Sequence, residues 1–195
     1  MFQAQAKVEF VKRYCPPASG YEVFVDIDPS EKGITGSTRE SPEARERQRQ
    51  MRQAGESAER SLRDLGVQVG GSREDWLDEV ESRHRETPPR IQGDRDIVAI
   101  HCEKKQILIA EVEGESSGQP EQKLYKAIGQ IVVAWANRIP DGWRSSFVLV
   151  VCGDKMKKHL QKVSKLADIG VAGLAIAADA ADDKWLFGPS PPAAT

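Results

Sequence analysis

Asp96-Ile97-Val98-Ala99-Ile100-His101-Cys102, the polar turn Glu103-Lys104-Lys105 and the return Gln106-Ile107-Leu108-Ile109-Ala110-Glu111-Val112-Glu113 decide how this chain folds. Two runs rich in β-branched residues, joined by a short charged turn, predict a pair of adjacent antiparallel strands. Side chains alternate faces along a strand, so Ile107, Ile109, Glu111 and Glu113 share one side, and Leu108, Ala110 and Val112 the other. Glu111 and Glu113 then stand roughly 7 Å apart at the backbone. Folding the hairpin about its turn brings Asp96 beside Glu113, with few fixed cations nearby in sequence.

Upstream, Ser41 is a helix cap with Pro42 in the first helical position. Met51, Ala54, Ala58, Leu62 and Leu65 then recur at spacings of three and four, which predicts one buried helical stripe. Gly66 ends that helix, and Val67-Gln68-Val69 reads as a short strand. Residues 70–92 form a polar insertion with a short helix around Trp76, Leu77 and Val80. In the first forty residues, only Tyr21-Glu22-Val23-Phe24-Val25-Asp26-Ile27 alternates as a strand does, among turn-forming Pro and Gly. Residues 1–40 are therefore set apart as an N-terminal extension that adds a strand or clamps a ligand.

Downstream, the Gly/Ser/Pro loop at 114–120 leads into a helix reaching about Asn137, with Leu124, Ile128, Ile131 and Trp135 as its core face. Lys123, Ala127, Gln130 and Ala134 form the neighbouring stripe, with Lys126 just beyond. Phe147-Val148-Leu149-Val150-Val151-Cys152 is a continuous apolar run, as expected for a strand buried on both faces. Asp154 is expected to cap a lysine-rich helix, and 171–177 and Trp185-Leu186-Phe187 supply further strands. The order of elements predicts an α/β layered domain over residues 41–187 with a mixed sheet, and a disordered Pro- and Ala-rich tail at 188–195.

The chain has 195 residues, 30% of them charged, and a formal net charge of −2, so bulk charge alone does not hold it to nucleic acid. Between 155 and 165, however, there are five lysines and His159 with no acid. Lys155, Lys157 and Lys158 are candidates for phosphate contact there, though a lysine-rich helix is as often a solvated face. Cys15, Cys102 and Cys152 are far apart and form no Cys-x-x-Cys pair, so neither a zinc site nor a disulfide framework is indicated. No apolar run approaches the roughly 20 residues that span a bilayer. The N-terminus lacks the layout of a secretory signal, so an intracellular location without membrane contact is expected. There is no Gly-x-Gly-x-x-Gly, Walker loop or Gly-x-Ser-x-Gly, and an organic cofactor is not expected.

Three acids converging from neighbouring strands repel one another unless a cation neutralises them. A hard divalent ion with oxygen ligands does so, and such a site suits phosphodiester hydrolysis. The same residues also suit acids decorating a solvent-facing strand, but Ile107 and Ile109 on that face make it the end of a buried stripe.

The hairpin resembles that of the PD-(D/E)XK nuclease superfamily, which includes restriction endonucleases and Holliday-junction resolvases. Gly93-Asp94-Arg95-Asp96-Ile97-Val98-Ala99-Ile100 followed by Ile109-Ala110-Glu111-Val112-Glu113 matches the family's pattern, in which an aspartate opens one strand and an acid-x-lysine triplet ends the next. The stretch from Gly55 through Leu62 and Leu65 to Val67 resembles the family's first helix and strand, and Lys123 to Gln130 its second helix. The resemblance implies a three-layer restriction-endonuclease-like core of order αβββαβ, its mixed sheet flanked by helices. It implies Mg²⁺, with Mn²⁺ as a substitute, at Asp96, Glu111 and Glu113, with Glu59 assisting from the first helix. It also implies DNA as substrate and, for a palindromic site, a homodimer. Glu113 stands where the family has lysine; it is assigned as base or further ligand, and Lys123 or Lys126 as the missing charge, with Gln130 orienting phosphate or water. Ser116 and Ser117 are candidates for backbone contacts to nucleic acid. The departure at Glu113 leaves an alternative, a catalytically inactive nuclease fold that binds nucleic acid or protein.

Overall fold

The computed structural model describes residues 1–33, 41–114 and 120–189. In chain order these give α1 (Gln3–Tyr14), β1 (Glu22–Val25), α2 (Pro42–Asp64), β2 (Gln68–Val69), α3 (Arg73–His84), β3 (Ile97–His101), β4 (Gln106–Glu113), α4 (Pro120–Trp135), β5 (Arg144–Val151), α5 (Asp154–Gln161), β6 (Val171–Ala175) and β7 (Lys184–Phe187). All seven strands join one mixed sheet in the order β2-β1-β3-β4-β5-β6-β7. β3 runs antiparallel to both β1 and β4, whereas β4, β5 and β6 are mutually parallel. β7 pairs antiparallel with β6, the register shifting between Gly173 and Leu174. The expected α/β class holds.

The alternation read from β4 divides the core into its two halves. Leu108, Ala110 and Val112 pack with α1 and α2, and Ile107 and Ile109 pack with α3 and α4. The sheet is thus covered on both faces, and Phe147, Val148, Leu149, Val150 and Val151 of β5 are buried, as their unbroken apolar run requires. Ser41 caps α2 by accepting the Ala44 N–H at 3.2 Å, with Pro42 in the first turn. Its stripe is buried at Ala54, Ala58 and Leu62. Among the described residues no helix is long and apolar enough to cross a membrane.

Three expectations change. Residues 1–33 do add a strand, one of the two roles expected of them, but they are not set apart from the domain: β1 lies inside the sheet between β2 and β3, and α1 buries Ala4, Val8, Phe10 and Val11 in the same core as Val112. On α4 the buried face is Leu124, Ala127, Ile131 and Ala134, while Trp135 is 44% exposed. The small side chains at 127 and 134 let the helix lie close to the sheet, and that rotation turns Trp135 outward. Gly153, not Asp154, is the residue before α5; Asp154 is its first helical residue, where its charge favours the helix dipole. Of the tail, 190–195 lies outside the described residues.

Because α1 is core, Phe10→Ala should lower unfolding free energy by about 3–5 kcal/mol in urea titration, the usual cost of emptying a buried aromatic site. A loss below about 1 kcal/mol would mean that α1 contributes little to the fold.

Candidate active site

Asp96 immediately precedes β3, and Glu111 and Glu113 end β4. Ile97 pairs with Ala110, so Asp96 stands across from Glu111 and not, as expected, beside Glu113. The turn is the cause: Lys105 adopts φ +48° and its N–H bonds to Cys102 O at 3.1 Å, so the chain reverses over 102–105 and the pairing shifts by two positions. Asp96 Oδ2 accepts the Val112 N–H at 2.7 Å, which locks the carboxylate to the end of the hairpin.

A cavity of about 260 Å³ opens at this end of β4. Asp96, Glu111, Glu113, Lys123, Lys126 and Gln130 all line it, so the six side chains assigned to catalysis from sequence are together. The helical carry-over works because Lys123, Lys126 and Gln130 flank the buried stripe of α4. Lys123 Nζ lies 3.9 Å from Glu113 Oε2, and Gln130 Nε2 donates to Asp94 O at 3.4 Å.

The same cavity holds acids that were not foreseen, with a buried lysine behind them. Asp26, Asp28 and Glu31 line it from the segment after β1. Lys7 of α1 is fully buried, and its Nζ donates to Asp26 O at 2.6 Å, Glu31 Oε1 at 2.6 Å and Asp96 Oδ1 at 2.8 Å. Arg95 Nη1 approaches Glu111 Oε1 to 3.9 Å, but its guanidinium donates to Gln92 O and Asp94 O. Fixed cations are therefore closer than the sequence suggested. The acids at 26, 28 and 31 had a visible signal, a cluster at the end of a strand. Lys7 had none.

Glu59 does not reach the cavity. Its carboxylate bonds to Lys32 at 2.7 Å and Arg63 at 2.8 Å, which hold it below its ordinary pKa. Lys157 lines a separate cavity with Cys152, Asp154 and Lys184, and neither Lys155 nor Lys158 lines the acidic one. Ser116 and Ser117 lie outside the described residues.

Burial dominates the electrostatics. It pushes the Glu111 carboxyl well above the usual carboxylate range, and the Asp96 charge adds to it. It raises Glu113 to about 7, against the pull of Lys123, and lifts Glu31 as well, against Lys7. For Lys7 burial opposes the charge, yet Asp96 and Glu31 outweigh it and hold the ammonium above its ordinary pKa.

Whether these oxygens suit a divalent ion is decided by two observations. Glu111 Oε1 is buried, has no hydrogen-bond partner and belongs to a residue lining the cavity, which is the condition that a cation relieves. Against a ready-made cage, no group of three or more His, Cys, Asp or Glu side chains among the described residues is close enough to hold a metal ion. The donors fit Mg²⁺ of the kind that takes one or two carboxylates and keeps its waters.

The pH dependence has a definite sign. Glu113 binds its proton more tightly folded than unfolded, so its contribution to stability is full below about 4.5 and is lost as pH rises through about 7. In chelator, Glu113→Gln should stabilise the protein at pH 8 by on the order of 1–3 kcal/mol and flatten its loss of stability between pH 5 and 8. Urea unfolding at both pH values reads this; a variant less stable than the parent at pH 8 would contradict the burial argument. Compared with known protein families, curated proteins and solved structures, the chain matches none.

Proposed function

We propose that the chain is a metal-dependent endonuclease that hydrolyses DNA phosphodiester bonds, with a restriction-endonuclease-like core. The observation that carries the reading is the joining of Asp96, Glu111 and Glu113 with Lys123, Lys126 and Gln130 in one cavity, where Glu111 presents a buried, unpartnered oxygen. If α2, β2 and α3, which stand between β1 and β3, are set aside as an insertion, the remaining order α1-β1-β3-β4-α4-β5 supports the αβββαβ core, with α1 and β1 in the parts assigned from sequence to α2 and β2. A divalent cation there would supply an activated water and stabilise charge on the phosphoryl oxygens. Asp96 and Glu111 would hold it. Glu113, near neutrality in pKa, is suited to accept a proton at its carboxylate around pH 7. Lys123 and Lys126 supply positive charge to a phosphate entering the cavity, and the Gln130 amide orients it.

The ion pair between Lys7 and Asp96 favours a second reading, a nuclease fold that has lost its metal and only binds. The two differ in Mn²⁺ affinity, which the binding module lacks while keeping salt-dependent DNA affinity. For the enzyme, incubation with plasmid and Mg²⁺ should nick or linearise DNA, and Glu111→Gln should slow this by on the order of 10²-fold or more. Cleavage undiminished in both Glu111→Gln and Asp96→Asn would sink the assignment.

A further inference from the structure

We infer that the Lys7 ammonium, buried behind the acids that line the cavity, is a built-in cation standing where a second metal ion would sit, so that the site takes a single divalent ion, on the Glu111 side; this rests on the metal-dependent reading above. An ammonium has three donors and no acceptor. All three are engaged, by Asp26 O, Glu31 Oε1 and Asp96 Oδ1 at 2.6–2.8 Å. Lys7 has no donor left for a phosphate or a water, and its side chain is sealed from solvent. Its effect on the cavity is therefore its charge and its volume. The oxygens around it, a backbone carbonyl and two carboxylates, are the donor types that a hard divalent ion takes.

Across Asp96 the situation is reversed. Glu111 Oε1 has no hydrogen-bond partner, and its nearest cation, Arg95, stands 3.9 Å away with bonds of its own to backbone carbonyls. Glu113 meets Lys123 only at 3.9 Å. The oxygens on the Lys7 side are thus already bonded to a cation, whereas on the Glu111 side a buried oxygen is left without a hydrogen-bond partner. Two-metal nucleases set their ions roughly 4 Å apart, stabilising the attacking oxygen with one and the leaving oxygen with the other. Here Asp96 Oδ1 is already bonded to a buried ammonium. Lys7 is a positioning residue: it turns Asp96 and fixes how many ions enter.

The test is a count. Wild-type protein titrated with Mn²⁺, followed by calorimetry and by electron paramagnetic resonance of the free ion, should bind one Mn²⁺ per chain. Lys7→Met should bind two. Glu31→Gln should still bind one, since Glu31 faces the ammonium, and it keeps the inference testable if Lys7→Met fails to fold. Two ions in wild type, one in a folded Lys7→Met, or none in Glu31→Gln would each overturn the inference while leaving the metal-dependent reading intact. No Mn²⁺ bound by wild type would overturn both.

Discussion

A lysine ammonium held where water does not reach must be met by oxygens or it will not stay charged, and Lys7 is met by three. Those oxygens come from the segment after β1 and from the residue that opens β3, while the lysine itself rides on α1. One charged knot therefore ties the first helix to two strands of the sheet. Breaking such a buried pair from one side costs about 3–5 kcal/mol, because the partner left behind keeps its charge. The knot also fixes Asp96 from below, while the Val112 amide fixes it from the side. The carboxylate is thus oriented by the fold before any ligand arrives.

Around that knot the sheet supplies the walls. Gly114 matters here: a side chain at that position would press on the backbone of Gln3 at 3.1 Å, so glycine lets the start of α1 sit against the end of β4. α1 can then deliver Lys7 to one face of the strand ends while α4 delivers Lys123, Lys126 and Gln130 to the other. The acids lie between two sources of positive charge, one buried and spent, the other partly exposed and available.

Much of this was legible in sequence, and the reasons for the rest are specific. The period of two in β4 separated Leu108, Ala110 and Val112 from Ile107 and Ile109 correctly, because only one face pattern buries both sets. The period of α4 brought Lys123, Lys126 and Gln130 to one edge, even though its core face is rotated toward Ala127 and Ala134. Lys7 was not legible. It interrupts the stripe of Ala4, Val8, Val11 and Cys15, and a lysine inside an apolar stripe reads as an argument against a buried helix. Glu59 failed differently: α2 does not bring it to the cavity, and Lys32 and Arg63 engage its carboxylate, the former a partner 27 residues away that no periodicity reveals. The pairing of Asp96 with Glu111 needed the geometry of one left-handed residue, Lys105, which the letters do not disclose.

The outer strands of the sheet have a different significance. β2 is two residues long, and on the far side β7 is four residues long and loses register with β6 at Gly173. Gly173 is required there, because a side chain would collide with the Phe187 ring. A long, straight outer strand would offer a row of free amides and carbonyls to another chain. These two offer very little. A seven-stranded sheet with a Val- and Ile-rich centre is thereby finished at both margins by short strands, which leaves little backbone on which the end-to-end growth of aggregates could start.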